Sequence, residues 1–101
     1  MRIIGGEFKG KKLSLPDDKN TRPLKDIVKE SIFNLIQHSK KIKIKIEGSI
    51  VLDLFSGSGI LAAEAISRGM NRATLVENNF RTCQKIHSEF RKLSISNYDL
   101  I

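Results

Sequence analysis

One stretch constrains the fold more than any other. Val51-Leu52-Asp53-Leu54-Phe55-Ser56-Gly57-Ser58-Gly59 passes from an apolar run into two spaced glycines, then into Ile60-Leu61-Ala62. The run Ser49–Leu54 reads as a buried parallel strand, because a strand covered on both faces is apolar along its length. Gly57-x-Gly59-x-x-Ala62 matches the strand-to-helix turn that lets backbone pass close to a ligand. Ile60–Arg68 reads as a helix stopped by Gly69. Ala73–Glu77 reads as a second strand and Asn79–Leu93 as a second helix, with Cys83, Ile86, Phe90 and Leu93 on its inner face. Strand, helix, strand, helix implies an α/β fold with a right-handed crossover.

Two carboxylates give the turn a chemistry. Glu77 closes the second strand, 20 residues after Gly57, where an acid accepts hydrogen bonds from ribose hydroxyls. The helix after Gly59 adds unpaired N–H groups. Asp53 stands at the end of the first strand, four residues before Gly57. A carboxylate there suits a cationic ligand group and repels a pyrophosphate. S-adenosylmethionine carries a sulfonium and an ammonium, so these residues favour it over a nicotinamide dinucleotide. The plain alternative is a ligand-free glycine turn with Glu77 on the surface.

The first half is built differently. Residues 1–50 hold 12 Lys/Arg against 6 Asp/Glu, whereas residues 51–101 hold 6 against 5. A basic half beside a near-neutral one suggests a polyanion, and nucleic acid is the default. Arg2–Ile4 and Lys12–Leu15 read as arms of a glycine-rich hairpin. Residues 16–23 read as a loop and Pro23 as a first helical position. Leu24, Ile27, Val28, Ile32, Leu35 and Ile36 then mark the inner face of a helix over 24–37, with Lys25 and Lys29 on another face. Lys41–Ile46 alternates strictly, which favours an extended segment with one wet face; a lysine-rich linker is the alternative. Its lysines read as a solvated face or an RNA track. Cys83, the single cysteine, excludes an internal disulfide and reads as a core residue, as do Phe33 and Phe90. No cysteine–histidine spacing suggests a metal, and no apolar run approaches the ~20 residues of a membrane span. The apolar start Ile3-Ile4 is too short for a signal peptide, so a cytoplasmic protein is expected.

Asp53-Leu-Phe-Ser-Gly-Ser-Gly59 resembles motif I of amino-group methyltransferases of the Asp-Pro-Pro-Tyr class. Arg2-Ile-Ile-Gly-Gly6, Lys9-Gly-Lys-Lys-Leu13, Thr21-Arg22-Pro23, Asp26, Val28-Lys29-Glu30, Phe33-Asn34 and Glu64-Ala-Ile-Ser-Arg-Gly69 extend the likeness. The ordered set resembles the D-type bacterial 16S ribosomal RNA guanine-N2 methyltransferases over nearly the whole chain. The resemblance implies a Rossmann-like methyltransferase fold with an incomplete parallel sheet and an N-terminal β-hairpin and helix. It divides the chain into a basic, RNA-facing part, 1–48, and the first βαβα half of the methyltransferase domain, 49–101. It implies that Asp53, Phe55, Ser56, Gly57, Ser58 and Gly59 hold S-adenosylmethionine, Glu77 its ribose, and Asn78 lies beside the adenine. Thr21, Arg22 and Pro23 would pack against its methionine end. Arg2, Lys9, Lys11, Lys12, Lys25 and Lys29 would meet 16S rRNA or the assembling small subunit, mainly through phosphates.

Three departures stand out. Leu24-Lys25 replaces hydroxyl residues, which removes a helix cap. Glu89 stands where the family often has asparagine. The family's catalytic Asp/Asn-Pro-Pro-Tyr/Phe, at the end of its fourth strand, has no counterpart, since Pro16 and Pro23 are isolated. No catalytic residue or metal ligand is therefore expected in this chain, and Glu64 reads either as a supporting group for the glycine loop or as a solvent-facing helix residue. The sequence stops about where a third strand should begin, so both strands are expected to have open edges and the chain to aggregate or pair with another chain. The rival readings are a nicotinamide-dependent oxidoreductase fragment and a non-catalytic RNA-binding module.

Overall fold

The computed structural model describes residues 1–14, 25–54 and 56–101. Helix α1 (Asp26–His38) precedes β1 (Ile50–Leu54), α2 (Ile60–Ser67), β2 (Arg72–Val76), α3 (Phe80–Lys92) and β3 (Tyr98–Leu100). The sheet is parallel in the order β1-β2-β3. Register sets Val51 beside Ala73 and Asp53 beside Leu75 on one face, and Leu52 beside Thr74 and Leu54 beside Val76 on the other.

The first face is packed. Ala62, Ala63 and Ala65 let α2 lie close to the strands, and all three are buried. Ala73, Leu75, Ile86 and Phe90 share one core with Ile3 and Leu13 from the N-terminal segment. Phe90 also meets Tyr98 edge-on at 4.8 Å. A smaller cluster joins Phe33, Ile46, Ala65 and Met70.

Helix α3 is well bounded. The Asn79 side chain accepts a hydrogen bond from the Thr82 N–H at 3.0 Å, and Arg91 and Lys92 complement the dipole in the last turn. Asn79→Ala is expected to lower unfolding stability by about 1 kcal/mol. Urea denaturation followed by circular dichroism checks this; an unchanged midpoint would remove the cap's importance. By contrast, α1 starts after Lys25 with no side-chain cap.

Three expectations are corrected. A third strand exists, because Tyr98–Leu100 reaches the outer edge of β2 and forms a parallel ladder there. Among the described residues β2 is therefore paired on both sides, and the open edges are those of β1 and β3. The N-terminal arms form a single antiparallel bridge, Arg2 with Lys12, rather than two strands. The Ile4 and Gly5 N–H groups are spent on the Glu64 carboxylate, which leaves too few for a ladder. Most of the expected inner stripe of α1 faces outward, with Ile27 72% and Leu35 60% exposed, whereas Ile36 is half-buried on the Phe33 cluster, Lys29 and Phe33 are buried, and Leu24 lies outside the described residues. Phe33 fills the cluster with Ile46 and Met70 and lies under the Arg68 guanidinium at 4.9 Å. Lys29 is drawn in by the Arg2 carbonyl, to which its ammonium donates, and by Glu64 at 3.9 Å. Lys41–Ile46, read as an extended segment or a lysine-rich linker, belongs to no sheet among the described residues. It follows a turn in which Ile42 N–H bonds the Ser39 carbonyl at 3.2 Å, and it finds no ladder partner among the described residues.

Candidate cofactor site and basic surface

Residues far apart in sequence meet at the carboxyl ends of β1 and β2. The β1 chain leaves through Asp53 and Leu54, and Ser56 anchors the turn twice. Its N–H donates to the Val76 carbonyl at 2.9 Å, and its hydroxyl donates to the Asp53 carbonyl at 2.8 Å. Gly59 donates to the Ser56 carbonyl at 2.9 Å and starts α2 with φ +79°. A side chain there would meet the Phe90 ring at 3.2 Å in a left-handed backbone, so glycine is required. The Ser58 hydroxyl accepts from the Ile60 N–H at 3.3 Å.

Glu77 sits across from the loop. One carboxylate oxygen accepts the Gly57 N–H and the other accepts the Asn79 N–H, each at 2.9 Å. The Cys83 thiol supports the same residue by donating to the Glu77 carbonyl at 3.3 Å. Burial pushes that thiol up, with Glu77 adding to the effect, so it is a poor nucleophile. Asn78 is exposed beside Glu77.

Asp53 is the electrostatic centre of this end of the sheet. Its Oδ2 is buried and has no hydrogen-bond partner among the described residues. Burial raises its carboxyl above the usual range, partly offset by the Ser56 hydrogen bond. A buried carboxylate oxygen without a donor is unfavourable unless a charged or donating group reaches it.

The structure thus brings Asp53, Ser56, Gly57, Ser58, Gly59, Glu77 and Asn78 together. Phe55, Thr21, Arg22 and Pro23 lie outside the described residues. The sequence reading missed the Asn79 backbone as the second holder of Glu77, although an asparagine just before a helix is a legible signal. It also missed what Glu64 does. This fully buried carboxylate accepts from Ile4 N–H at 2.8 Å, Gly5 N–H at 2.9 Å and Arg68 Nε at 2.8 Å. Glu64 is neither a loop support nor solvent-facing; it clamps the N-terminal segment to α2. Glu89 does the same from α3, accepting the Ser14 N–H at 2.6 Å, which holds its carboxyl below the usual range.

The basic surface is smaller than expected. Lys9, Lys11, Lys12 and Lys25 are exposed. Arg2 is exposed and pairs with Asp26 at 3.0 Å, which lowers the Asp26 carboxyl. Lys29 is withdrawn from it altogether, because it is fully buried under the Arg2 carbonyl. Among the described residues no three His, Cys, Asp or Glu side chains gather as a metal site, and no helix is long and apolar enough to cross a membrane.

Comparison with known proteins bears on the fold and the family. The family model described as "Conserved hypothetical protein 95" matches residues 1–101. The YlbH protein of Bacillus subtilis (strain 168) is 39% identical over 98 residues, covering 97% of this chain and 50% of that protein. Ribosomal RNA small subunit methyltransferase D of Escherichia coli (strain K12) is 37% identical over 97 residues, covering 96% of this chain and 46% of that protein. The solved structure of yhhF from Escherichia coli superposes with a TM-score of 0.84 at 35% identity, covering 100% of this chain and 51% of that one. The chain spans about half the length of the curated relatives it matches. The incomplete Rossmann-like sheet, the glycine loop and the match along the whole sequence lead to one assignment: the chain belongs to the Conserved hypothetical protein 95 family, that of the D-type small-subunit ribosomal RNA methyltransferases.

Proposed function

We propose that this chain is the cofactor-holding half of an S-adenosylmethionine-dependent enzyme that methylates a guanine N2 amine in 16S rRNA, in the cytoplasm. The observation that supports the cofactor is the buried Asp53 oxygen beside the glycine loop, which has no hydrogen-bond partner among the described residues. A cationic group of the ligand would relieve it. The residues present fit such a ligand. Glu77 uses each oxygen once, on Gly57 and on Asn79, and a carboxylate oxygen accepts more than one hydrogen bond. It retains capacity for ribose hydroxyls, while Asn78 is free to meet the adenine edge. Gly57, Ser58 and Gly59 would let backbone approach the methionine part.

When bound, S-adenosylmethionine supplies an electrophilic methyl on sulfur. This chain's residues would hold and orient it: Asp53 by charge, Glu77 by ribose position, the loop by shape. Orienting the guanine amine for in-line displacement needs a carboxylate or amide and a stacking ring. With no Pro-Pro pair in the sequence, no such motif is present, and the chain alone is expected to transfer no methyl groups. The basic part, 1–48, would face RNA through Lys9, Lys11, Lys12, Lys25 and Arg2. Its RNA affinity is expected to fall steeply with salt.

Calorimetric titration with S-adenosylhomocysteine tests the reading. Asp53→Ala should weaken binding by about 10- to 100-fold, the range for a lost charge-assisted hydrogen bond. Affinity should also fall on acidification, because the ligand's ammonium needs the ionised carboxylate. Since burial raises Asp53, that fall should begin above the usual aspartate range. Displacement by NAD would favour the oxidoreductase rival. Salt-sensitive RNA binding without any Asp53-dependent ligand would favour the RNA-binding module.

A further inference from the structure

Helix α3 turns Ile86 and Phe90 into the core, and its one carboxylate, Glu89, is buried on the Ser14 N–H. Two rows remain outside. Phe80, Gln84, His87 and Arg91 follow at spacings of 4, 3 and 4, and all four are exposed. Arg81, Lys85, Ser88 and Lys92 repeat that spacing one residue on, with Lys85 half-buried and the others exposed. The Phe80 ring heads the first row and is 75% exposed.

Residues 51–101 are near-neutral by count but not by position, because their carboxylates are committed elsewhere. Glu64 and Glu89 are buried, Asp53 has a buried Oδ2, Glu77 holds the Gly57 and Asn79 N–H groups, and Asp99 holds Arg72. Arg81, Lys85 and Arg91 have no ion-pair partner among the described residues. The first row runs into a cleft of about 510 Å³ between α3 and β3, where Arg91, Ser94 and Ser96 are donors. The Tyr98 hydroxyl lies 2.6 Å from His87 Nδ1. Burial pushes that hydroxyl up, so it stays protonated and donates, which leaves His87 its Nε2–H. Asp99 also lines the cleft, but both its oxygens accept from Arg72, at 2.7 and 2.9 Å.

We propose that the outer face of α3 binds single-stranded RNA: Phe80 stacks on a base, Arg81, Lys85 and Lys92 meet backbone phosphates, and the His87–Arg91 cleft seats a further phosphate. The inference rests on the reading of RNA as substrate and adds a second surface to it. An exposed ring among cations suits a single strand, since every base has a π-face and the backbone is a polyanion. An acidic peptide would use the cations and not the ring, and a duplex keeps its bases stacked. The row from Phe80 to Arg91 covers about 16 Å, enough for several phosphates. The surface continues into the N-terminal lysines, because the Ser14–Glu89 bond pins that segment to α3 two residues after Lys12. Glu89 lies one turn from both Lys85 and Lys92, so the two basic surfaces meet there.

Fluorescence anisotropy of a labelled, mixed-sequence single-stranded oligoribonucleotide, titrated with the 101-residue chain at several salt concentrations, reads binding without methyl transfer. Phe80→Ala should weaken binding by about 5- to 100-fold at an unchanged salt slope, and Phe80→Tyr should retain it. Arg81→Gln with Lys85→Gln should weaken it by about 10-fold and flatten the slope of log affinity against log salt by about 1.4. These side chains lie outside the core, so the circular dichroism spectra should match the parent's. Lys11→Gln with Lys12→Gln tests the RNA reading itself, on the N-terminal segment. If that pair weakens binding and neither α3 variant does, the α3 surface alone is overturned. A parent chain that binds no RNA removes the RNA reading and this surface with it. Equal binding of a duplex of the same sequence, or equal competition by polyglutamate, overturns the assignment to single-stranded RNA. Phe80→Ala that loses S-adenosylhomocysteine and keeps RNA assigns the ring to the cofactor's adenine, and overturns the proposal.

Discussion

Glu64→Ala is expected to destabilise the chain by about 3–5 kcal/mol, the cost of breaking a buried charged network by removing one partner. The carboxylate is fully buried and holds Ile4, Gly5 and Arg68, with Lys29 at 3.9 Å. Without it, two part-buried backbone N–H groups lose their acceptor and two cations lose a counter-charge. A domain of this size has roughly 5–15 kcal/mol in total, so the N-terminal segment should detach or the whole fold should melt. Glu64→Gln should recover only part of the loss, because its amide N–H₂ faces donors. Glu30→Ala, on the exposed side of α1, should stay within about 0.5 kcal/mol of the parent. Urea unfolding followed by circular dichroism distinguishes them. A Glu64→Ala loss as small as that of Glu30→Ala would show that the clamp does not hold the segment.

Gly6→Ala should destabilise by about 3 kcal/mol or more, through overpacking against backbone that cannot give way. Gly6 has φ +80°, and a Cβ there would stand 1.9 Å from the Ser67 carbonyl oxygen and 2.3 Å from its carbon. The segment rides on the end of α2 at this point. Glu7 N–H donates to the Ser67 carbonyl at 2.8 Å, and the Ser67 hydroxyl donates to the Gly5 carbonyl at 2.6 Å. Gly10 provides the control, since it has φ +86° but nothing within 4 Å of an added Cβ. Gly10→Ala should show only the left-handed strain, about 1–2 kcal/mol. Equal thermal shifts for the two variants would mean that the approach to Ser67 carries no weight.

These two positions show where a sequence stops being readable. Asp53, Gly57, Gly59 and Glu77 announce themselves, because a strand end, a glycine turn and an acid 20 residues later are local patterns with few other uses. The helices and the β1 and β2 strands are found within a residue or two for the same reason, since apolar periodicity is local. Glu64 carries no such signal. A glutamate in a helix looks solvent-exposed until Ile4, Gly5 and Lys29, 35 to 60 residues away, arrive around it. The α1 face failed for a related reason. Counting apolar residues assigns Ile27 and Leu35 inward, whereas the pocket offered by Ile46, Met70 and Arg68 selects Phe33, and the Arg2 carbonyl and Glu64 draw in Lys29.

The sequence by itself determined the βαβ order, the glycine loop, the distant acid and the basic first half. Each follows from spacing along the chain, which secondary structure converts directly into a shared face or a shared strand end. The tertiary structure decided the rest: β3 on β2, the N-terminal segment held by two buried carboxylates, Lys29 buried rather than basic surface, and one bare sheet face. Those outcomes depend on which polar groups find partners across long loops. A buried donor or acceptor without a partner is more costly than an apolar side chain left in water, so partners of this kind override the hydrophobic pattern.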